Sequence, residues 1–137
     1  MDETTSGSLA GGCLCGAVRY GVSAPPLNVR ICHCRLCQKA TGQPFFARAI
    51  FPRDAVTIQG ETQAFKSSED LERRFCATCG TSLFAGRISA PERMAVTLAT
   101  LDDPSALAPD AQFWTSSRIA WVEDLGSIAA FEEWPPA

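Results

Sequence analysis

The sequence predicts a mainly β fold, built as one domain of short antiparallel strands. Three observations lead to this prediction. Short runs of alternating apolar and polar residues recur along the chain, turn-forming residues separate these runs, and only one segment has the pattern of a helix. The length of 137 residues is that of one compact domain. We expect a disordered tail over residues 1–8 and a single domain over residues 9–137.

The first predicted strand covers residues 17–23, where Val18, Tyr20 and Val22 alternate with small or polar neighbours. The Pro25-Pro26 pair ends it, because proline lacks the N–H that a strand ladder needs. The remaining predicted strands, in chain order, are 29–32, 45–51, 55–59, 62–66, 71–75, 81–85 and 94–98. A short element at 113–115 and an irregular segment complete the chain.

The helical pattern covers residues 34–41 (CRLCQKAT), and Gly42 follows as the residue that can adopt the left-handed conformation at a helix C-terminus. Asp102-Asp103-Pro104 predicts one further helical turn, with an acidic N-cap and proline at the first helical position. Phe113, Trp114 and Trp121 are expected to pack in the core or as a lid.

Composition excludes several classes of protein. Charged residues make up 20% of the chain and hydrophobic residues 46%, which excludes wholesale disorder. No run reaches the ~18 apolar residues of a membrane span. The N-terminus carries the acids Asp2 and Glu3 and lacks the basic and apolar regions of a secretory signal. We therefore expect a cytoplasmic protein whose cysteines bind metal, react or pack rather than form disulfides.

The charge is unevenly distributed, although the net value is only −3. Between Glu3 and Asp54 the chain holds six cations and no acid. Two interpretations stay open: an anionic ligand binds this stretch, or its cations pair with acids of the second part. The cations are spaced singly and the protein is acidic overall, so we predict no nucleic-acid binding.

Four of the seven cysteines form two pairs that predict a structural zinc site. Cys76 and Cys79 form a C-x-x-C knuckle followed by Gly80, and Cys13 and Cys15 are followed in the same way by glycine. A glycine at this place accommodates the positive φ that such a turn often needs. A zinc ion bound by all four would join two distant parts of the chain, and its binding would contribute directly to folding.

The other three cysteines, Cys32, Cys34 and Cys37, are close enough in sequence to face one metal ion. Three protein ligands with a free fourth position are typical of a catalytic zinc site. Two alternatives stay open at this point: His33 or a distant residue completes a structural site, or the three thiols are redox-active without metal. Against the first, His33 lies between two of the cysteines, and adjacent residues of an extended segment point to opposite sides.

The segments GGCLCGAVRY, CHCRLCQKATGQPF and FCATCGTSLF, in this order and spacing, resemble the glutathione-dependent formaldehyde-activating enzyme family. The same domain occurs in centromere protein V. The resemblance implies a tent-like fold, also seen in methionine-R-sulfoxide reductases and Mss4. It implies two zinc ions per chain, of which the second need not be fully occupied. Cys13, Cys15, Cys76 and Cys79 would hold the structural one, and Cys32, Cys34 and Cys37 the catalytic one.

The activity implied is that of a carbon–sulfur lyase of the S-(hydroxymethyl)glutathione synthase type, with glutathione and formaldehyde as substrates. Because glutathione is anionic, we expect cations of the acid-free stretch to bind it, and we select Arg35, Lys39 and Arg48. Two other functions stay open: a non-catalytic two-zinc scaffold or binding module, and a thiol redox sensor. One departure from the family pattern is Gln112, which stands where many members have histidine.

Overall fold

The computed structural model describes residues 8–136 and contains ten β-strands and one α-helix. The helix α1 covers Arg35–Thr41. The strands are β1 (Leu9–Gly12), β2 (Arg19–Val22), β3 (Asn28–Cys32), β4 (Phe46–Pro52), β5 (Val56–Gln59), β6 (Thr62–Ser68), β7 (Leu71–Cys76), β8 (Ser82–Arg87), β9 (Arg93–Thr97) and β10 (Ala111–Phe113). The predicted mainly β fold is confirmed. The predicted tail lies outside the described residues except for Ser8.

The strands form two sheets. A three-stranded antiparallel sheet has the order β1-β2-β5, and a seven-stranded sheet has the order β10-β3-β4-β9-β8-β7-β6. All neighbours in the large sheet are antiparallel except β10, which pairs in parallel with β3. The larger of two hydrophobic clusters combines buried side chains of both sheets, including Val18, Tyr20, Phe51, Leu83 and Val96. The sheets therefore share one core.

The smaller cluster lies beside α1 and consists of Cys32, Cys37, Phe46, Ala85 and Ala95. It brings the helix together with β3, β4, β8 and β9. The seven-stranded sheet thus buries one set of side chains in the main core and presents another set, which contains Cys32, beside Cys37 of the helix.

The helix ends where the sequence predicts, because Gly42 adopts φ 70° and its N–H donates to the carbonyl of Gln38. The helix begins at Arg35, one residue later than predicted, and Cys34 is its N-cap. The predicted turn at 102–104 is present as one isolated hydrogen-bonded turn at Asp103 and Pro104. Asp103 accepts from the N–H of Ser105 through its carboxylate and from that of Ala106 through its carbonyl, which closes a single turn without a following helix.

The segment after β10 contains two 3₁₀ helices, Thr115–Ser117 and Ala120–Ser127, and no further strand up to residue 136. Several of its large apolar side chains are exposed, including Trp121 and Trp134. Of the two alternatives predicted for Trp114 and Trp121, packing in the core is wrong, because both are more than half exposed, while Phe113 is half-buried. The lid alternative stays a prediction. In the part of the chain that the structure describes, no helix has the length and hydropathy needed to span a membrane.

Candidate metal centres and the adjoining cavity

Four cysteine sulfurs meet at one end of the molecule, where the loop after β1 lies against the loop between β7 and β8. The Sγ atoms of Cys13, Cys15, Cys76 and Cys79 all lie within 4.8 Å of one another. Cys13 and Cys15 are 3.7 Å apart, and Cys15 and Cys76 are 3.9 Å apart, measured between sulfurs. A tetrahedral zinc ion with Zn–S bonds of about 2.3 Å requires sulfurs about 3.8 Å apart. The four donors therefore fit a zinc ion.

Backbone N–H groups point at these sulfurs, as a metal knuckle requires. The Sγ of Cys76 accepts from the N–H groups of Thr78 and Cys79, and the Sγ of Cys13 accepts from that of Val18. Such bonds favour the thiolate form that binds metal. Gly16 and Gly80 have φ of 83° and 81°, so each of the two loops has a glycine in the left-handed conformation after its cysteine.

Thr81 adds a side-chain contact to this cluster. Its hydroxyl lies 3.1 Å from the sulfur of Cys79 and accepts from the N–H of Leu14. The hydrogen bonds from the side chain and backbone of Thr81 lower the pKa of Cys79 to about 5. One residue thus joins the two loops and stabilises a thiolate between them.

The second cluster lies at the end of β3 and the start of α1. The Sγ atoms of Cys32, Cys34 and Cys37 lie within 4.8 Å of one another. Cys34 caps the helix, because its sulfur accepts from the N–H of Cys37 at 3.3 Å. Burial raises the pKa of Cys32 to about 12. Three converging sulfur donors could hold a metal ion and leave one position of a tetrahedron for another ligand.

His33 does not belong to this cluster. Its side chain is 1% exposed, and its Nε2 donates to Oε1 of Gln112 at 2.7 Å. The N–H of His33 also donates to the carbonyl of Phe113, so the segment carrying the cysteines is joined to β10 twice. Gln112 therefore contacts the only histidine of the chain. Within residues 8–136, three sulfurs and no imidazole form the second cluster.

Gln38 fixes the helix beside the cysteines. Its side chain is buried, and its amide nitrogen donates to the carbonyls of His33 and Ser117 at 2.8 and 3.1 Å. One side chain of α1 thus holds both the segment before the helix and the segment after β10. This contact helps to orient Cys37, the preceding residue of the helix.

The three-cysteine cluster opens onto a cavity of about 610 Å³. This volume lies in the usual range of small-molecule sites, about 300–1,000 Å³. Apolar side chains form much of its wall. Among the described residues, Glu92 is the only carboxylate that lines the cavity. Four arginines also line it: Arg30, Arg48, Arg87 and Arg93. The cavity therefore suits a small anionic molecule.

Strand register explains why two of these arginines stand beside the cysteines. Arg30 is directly opposite Arg48, and Cys32 is directly opposite Phe46, across the β3–β4 pair. Alternate residues of a strand point to the same side, so both arginines share the face that carries Cys32. Arg48 is half-buried, its NH1 donates to Oδ1 of Asn28 at 2.6 Å, and its guanidinium lies over the ring of Phe113.

Of the three cations selected from the sequence, only Arg48 lines the cavity. Arg35 and Lys39 lie four residues apart on the exposed side of α1, and Arg35 donates to its neighbour Gln38. Leu36 and Cys37 of the same helix do line the cavity. The spacing of Arg35 and Lys39 predicted correctly that they share a face, but that face is turned to solvent.

Trp114 lines the cavity and is the only non-glycine residue with positive φ among residues 8–136, at 58°. Sequence reasoning also missed Arg73, a buried arginine of β7 whose NH2 lies 3.3 Å from the sulfur of Cys37. The sequence gives only a weak signal for it. Arg73 lies between Glu72 and Arg74 in one strand, where neighbouring side chains point to opposite faces of the sheet.

A mainly β domain with four cysteines in one cluster, and three more on the wall of a cavity, defines a class of β proteins whose cysteine clusters could hold metal ions. Residues 8–117 match the family described as "Glutathione-dependent formaldehyde-activating enzyme", and the chain belongs to that family. The match covers both cysteine clusters and Gln112. The segment from Arg118 onward lies outside it.

Individual relatives are distant. An "Uncharacterized lyase" of Schizosaccharomyces pombe is 31% identical over 74 residues, which are 54% of this chain and 54% of the relative, so the match spans about half the length of that protein. A Halomonas elongata protein named "Putative glutathione-dependent formaldehyde-activating enzyme" is 27% identical over 125 residues, 84% of this chain and 80% of the relative. A crystal structure of a Rhodobacter sphaeroides protein superposes with a TM-score of 0.60 at 26% identity, covering 76% of this chain and 99% of the other.

Proposed function

We propose that this protein catalyses the addition of glutathione, or a related small thiol, to formaldehyde or a related aldehyde, and the reverse cleavage. In the forward direction a carbon–sulfur bond forms between the thiol sulfur and the carbonyl carbon. The carbonyl double bond becomes a single bond to a hydroxyl, and the proton of the thiol ends on that oxygen. No oxidant or other co-reactant is consumed.

The observation that carries this proposal is the position of the three-cysteine cluster on the cavity wall. Cys32, Cys34 and Cys37 supply three sulfurs, and the cavity gives a ligand access to a fourth position. We propose zinc at this cluster and at the four-cysteine cluster. When bound beside the cavity, zinc would lower the pKa of a substrate thiol and hold its sulfur as the nucleophile.

The arginines of the cavity would bind the two carboxylates of glutathione. Arg30 and Arg48 stand beside Cys32, and Arg87 and Arg93 line the same cavity on strands β8 and β9. A guanidinium can bind a carboxylate through two parallel hydrogen bonds, which fixes orientation as well as charge. The apolar wall between these groups would exclude water from the reacting carbon.

Imidazole takes no part in this scheme. The sequence contains one histidine, and His33 is buried with Nε2 bound to Gln112. It is also absent from the residues that line the cavity. The nucleophilic thiolate would therefore form because the metal lowers the pKa of the bound thiol, and no histidine base would be needed.

The family and the names of two relatives support an enzyme of this kind, since one relative is named as a lyase and another as a formaldehyde-activating enzyme. Formaldehyde and glutathione also combine spontaneously, so the test must measure acceleration. We expect the metal-loaded protein to increase the rate of exchange between the free aldehyde and its glutathione adduct, as followed by NMR. A protein loaded at both clusters that gives no acceleration would contradict the enzyme and favour a non-catalytic two-metal scaffold.

Arg48→Met is expected to raise the KM for glutathione about 10–100-fold with a smaller effect on kcat, because a charge-assisted hydrogen bond contributes about 1.5–3 kcal/mol. Steady-state kinetics at varied glutathione measures this. The matched control is Arg35→Met, which removes the same charge from the exposed side of α1. An equal rise in KM for both variants would show that Arg48 has no specific contact with the substrate.

A further inference from the structure

Arg73 is a buried arginine without a carboxylate partner in the described chain. It lies in the middle of β7 and is 6% exposed, whereas the guanidinium of the next residue, Arg74, pairs with the half-exposed Glu72 at 3.2 Å. In the register of the sheet Arg73 stands opposite Ala85. Ala85 and Ala95 are the small members of the buried cluster that contains Cys37, and they leave room for the guanidinium.

The contacts of Arg73 all belong to this cluster or to the neighbouring strand β6. Its NH2 donates to Sγ of Cys37 at 3.3 Å, and its Nε donates to Oγ of Ser67 at 2.8 Å. The guanidinium carbon lies 5.5 Å from the centre of the Phe46 ring, over its face. NH1 is buried and has no acceptor among residues 8–136.

A buried cation needs a nearby negative charge, because removing it from water is costly unless it is paired. No ion pair between Arg73 and a carboxylate forms within residues 8–136. The hydrogen-bond partner of Arg73 that can carry a negative charge is the sulfur of Cys37. The position of this arginine is therefore explained if the three-cysteine cluster is anionic.

We infer that Arg73 is a positioning residue that supplies the fixed positive charge of the three-cysteine metal centre and holds Cys37 in its ligating position. Three thiolates with one Zn²⁺ carry a net charge of −1, and the guanidinium offsets it. A fourth, anionic sulfur then enters a site that is close to neutral instead of negative. This inference rests on the metal site of the proposed function, but not on the identity of the thiol or the aldehyde.

The test measures metal binding without glutathione or aldehyde. Arg73→Met is expected to weaken binding of Zn²⁺ or Co²⁺ at the three-cysteine cluster about 10–100-fold, the usual effect of losing a partner of a metal ligand. It should also shift the sulfur-to-cobalt charge-transfer absorption, because Cys37 loses its hydrogen bond. Competition with a chromophoric chelator gives the affinities, and Cys34→Ser identifies which absorption belongs to this cluster.

Three comparisons separate this role from a structural one. The four-cysteine cluster of the same variant should bind metal as tightly as in the original protein, which reports that the fold is intact. Arg73→Lys keeps the charge and should recover most of the affinity, and it decides the question if Arg73→Met does not fold. Arg74→Met removes an equivalent charge from the partly exposed neighbouring position and should change neither affinity nor spectrum.

Unchanged affinity and spectrum in folded Arg73→Met would overturn the inference. The inference would also be overturned if folded Arg73→Lys bound metal as weakly as folded Arg73→Met. If the methionine variant does not fold, a loss of affinity of 100-fold or more in Arg73→Lys would overturn it.

If neither variant folds, chemical modification of the unmodified protein decides. We expect cobalt binding at the three-cysteine cluster to slow alkylation of Cys37 and to leave Arg73 resistant to guanidinium-specific reagents. Modification of Arg73 while metal is bound would overturn the inference. Failure of the unmodified protein to bind metal at this cluster would instead contradict the proposed function itself.

Discussion

Cys76→Ser is expected to lower the free energy of unfolding by about 5 kcal/mol or more and leave much of the protein unfolded at 25 °C. Structural zinc sites contribute about 10–16 kcal/mol of binding free energy to folding, whereas whole domains are stable by only about 5–15 kcal/mol. The four-cysteine cluster also joins the loop after β1 to the loop after β7. Urea unfolding followed by circular dichroism measures the loss.

Cys76 is also part of the hydrophobic core, with 1% exposure, so its replacement alone does not isolate the metal. Cys15 provides the matched variant because it is an exposed ligand of the same cluster. We expect Cys15→Ser to destabilise the protein by several kcal/mol as well. A loss below about 0.5 kcal/mol, as for an ordinary surface substitution, would show that no metal at this cluster supports the fold.

Cys34→Ser is expected to have the opposite profile: the protein stays folded, binds about one metal ion instead of two, and loses at least about 100-fold of its activity. The fold should survive because Cys34 is the N-cap of α1, and a serine hydroxyl can accept the same bond from the N–H of Cys37. The activity should fall because the metal ligand set is incomplete, and metal-ion catalysis is worth several kcal/mol.

Metal analysis, urea unfolding and the exchange assay measure the three parts of this prediction on one preparation. Unfolding comparable to that of Cys76→Ser would contradict the division into one structural and one open cluster. Full metal content with unchanged activity would contradict the assignment of Cys34 as a ligand.

Much of the fold was predictable because its signals are local. Alternation marked most of the strands, and the pattern of residues 34–41 with Gly42 marked the helix. Strand β1 was missed because its sequence, LAGG, has no alternation. Its geometry depends on tertiary contacts: a Cβ at Gly11 would lie 2.3 Å from the hydroxyl of Tyr20 and 2.4 Å from the carbonyl oxygen of the distant Thr100, so glycine allows this close approach. The parallel pairing of β10 with β3 also depends on long-range contacts.

The candidate site likewise depends partly on local signals, which the sequence shows, and partly on long-range contacts, which it does not. Cysteine spacing predicted which sulfurs within each group would meet, because ligands two to five residues apart lie close together. The meeting of Cys13 and Cys15 with Cys76 and Cys79 was predicted because one C-x-x-C pair supplies only half of a tetrahedral site. Cysteine spacing did not predict the cations of the cavity. Arg87 and Arg93 come to the cavity through the pairing of distant strands, and Arg73 reaches Cys37 from β7, which is 36 residues away in the chain. Only the register of the sheet places these charges beside the cysteines.

We propose that a substrate thiol binds to the metal at Cys32, Cys34 and Cys37. The most direct test is a titration of the cobalt-substituted protein with glutathione, followed by the absorption of cobalt bound to sulfur. We expect a saturable spectral change with about one equivalent of thiol per chain, and no such change in Cys34→Ser. A protein that holds metal at both clusters and shows no spectral change up to millimolar glutathione would contradict thiol binding at this metal.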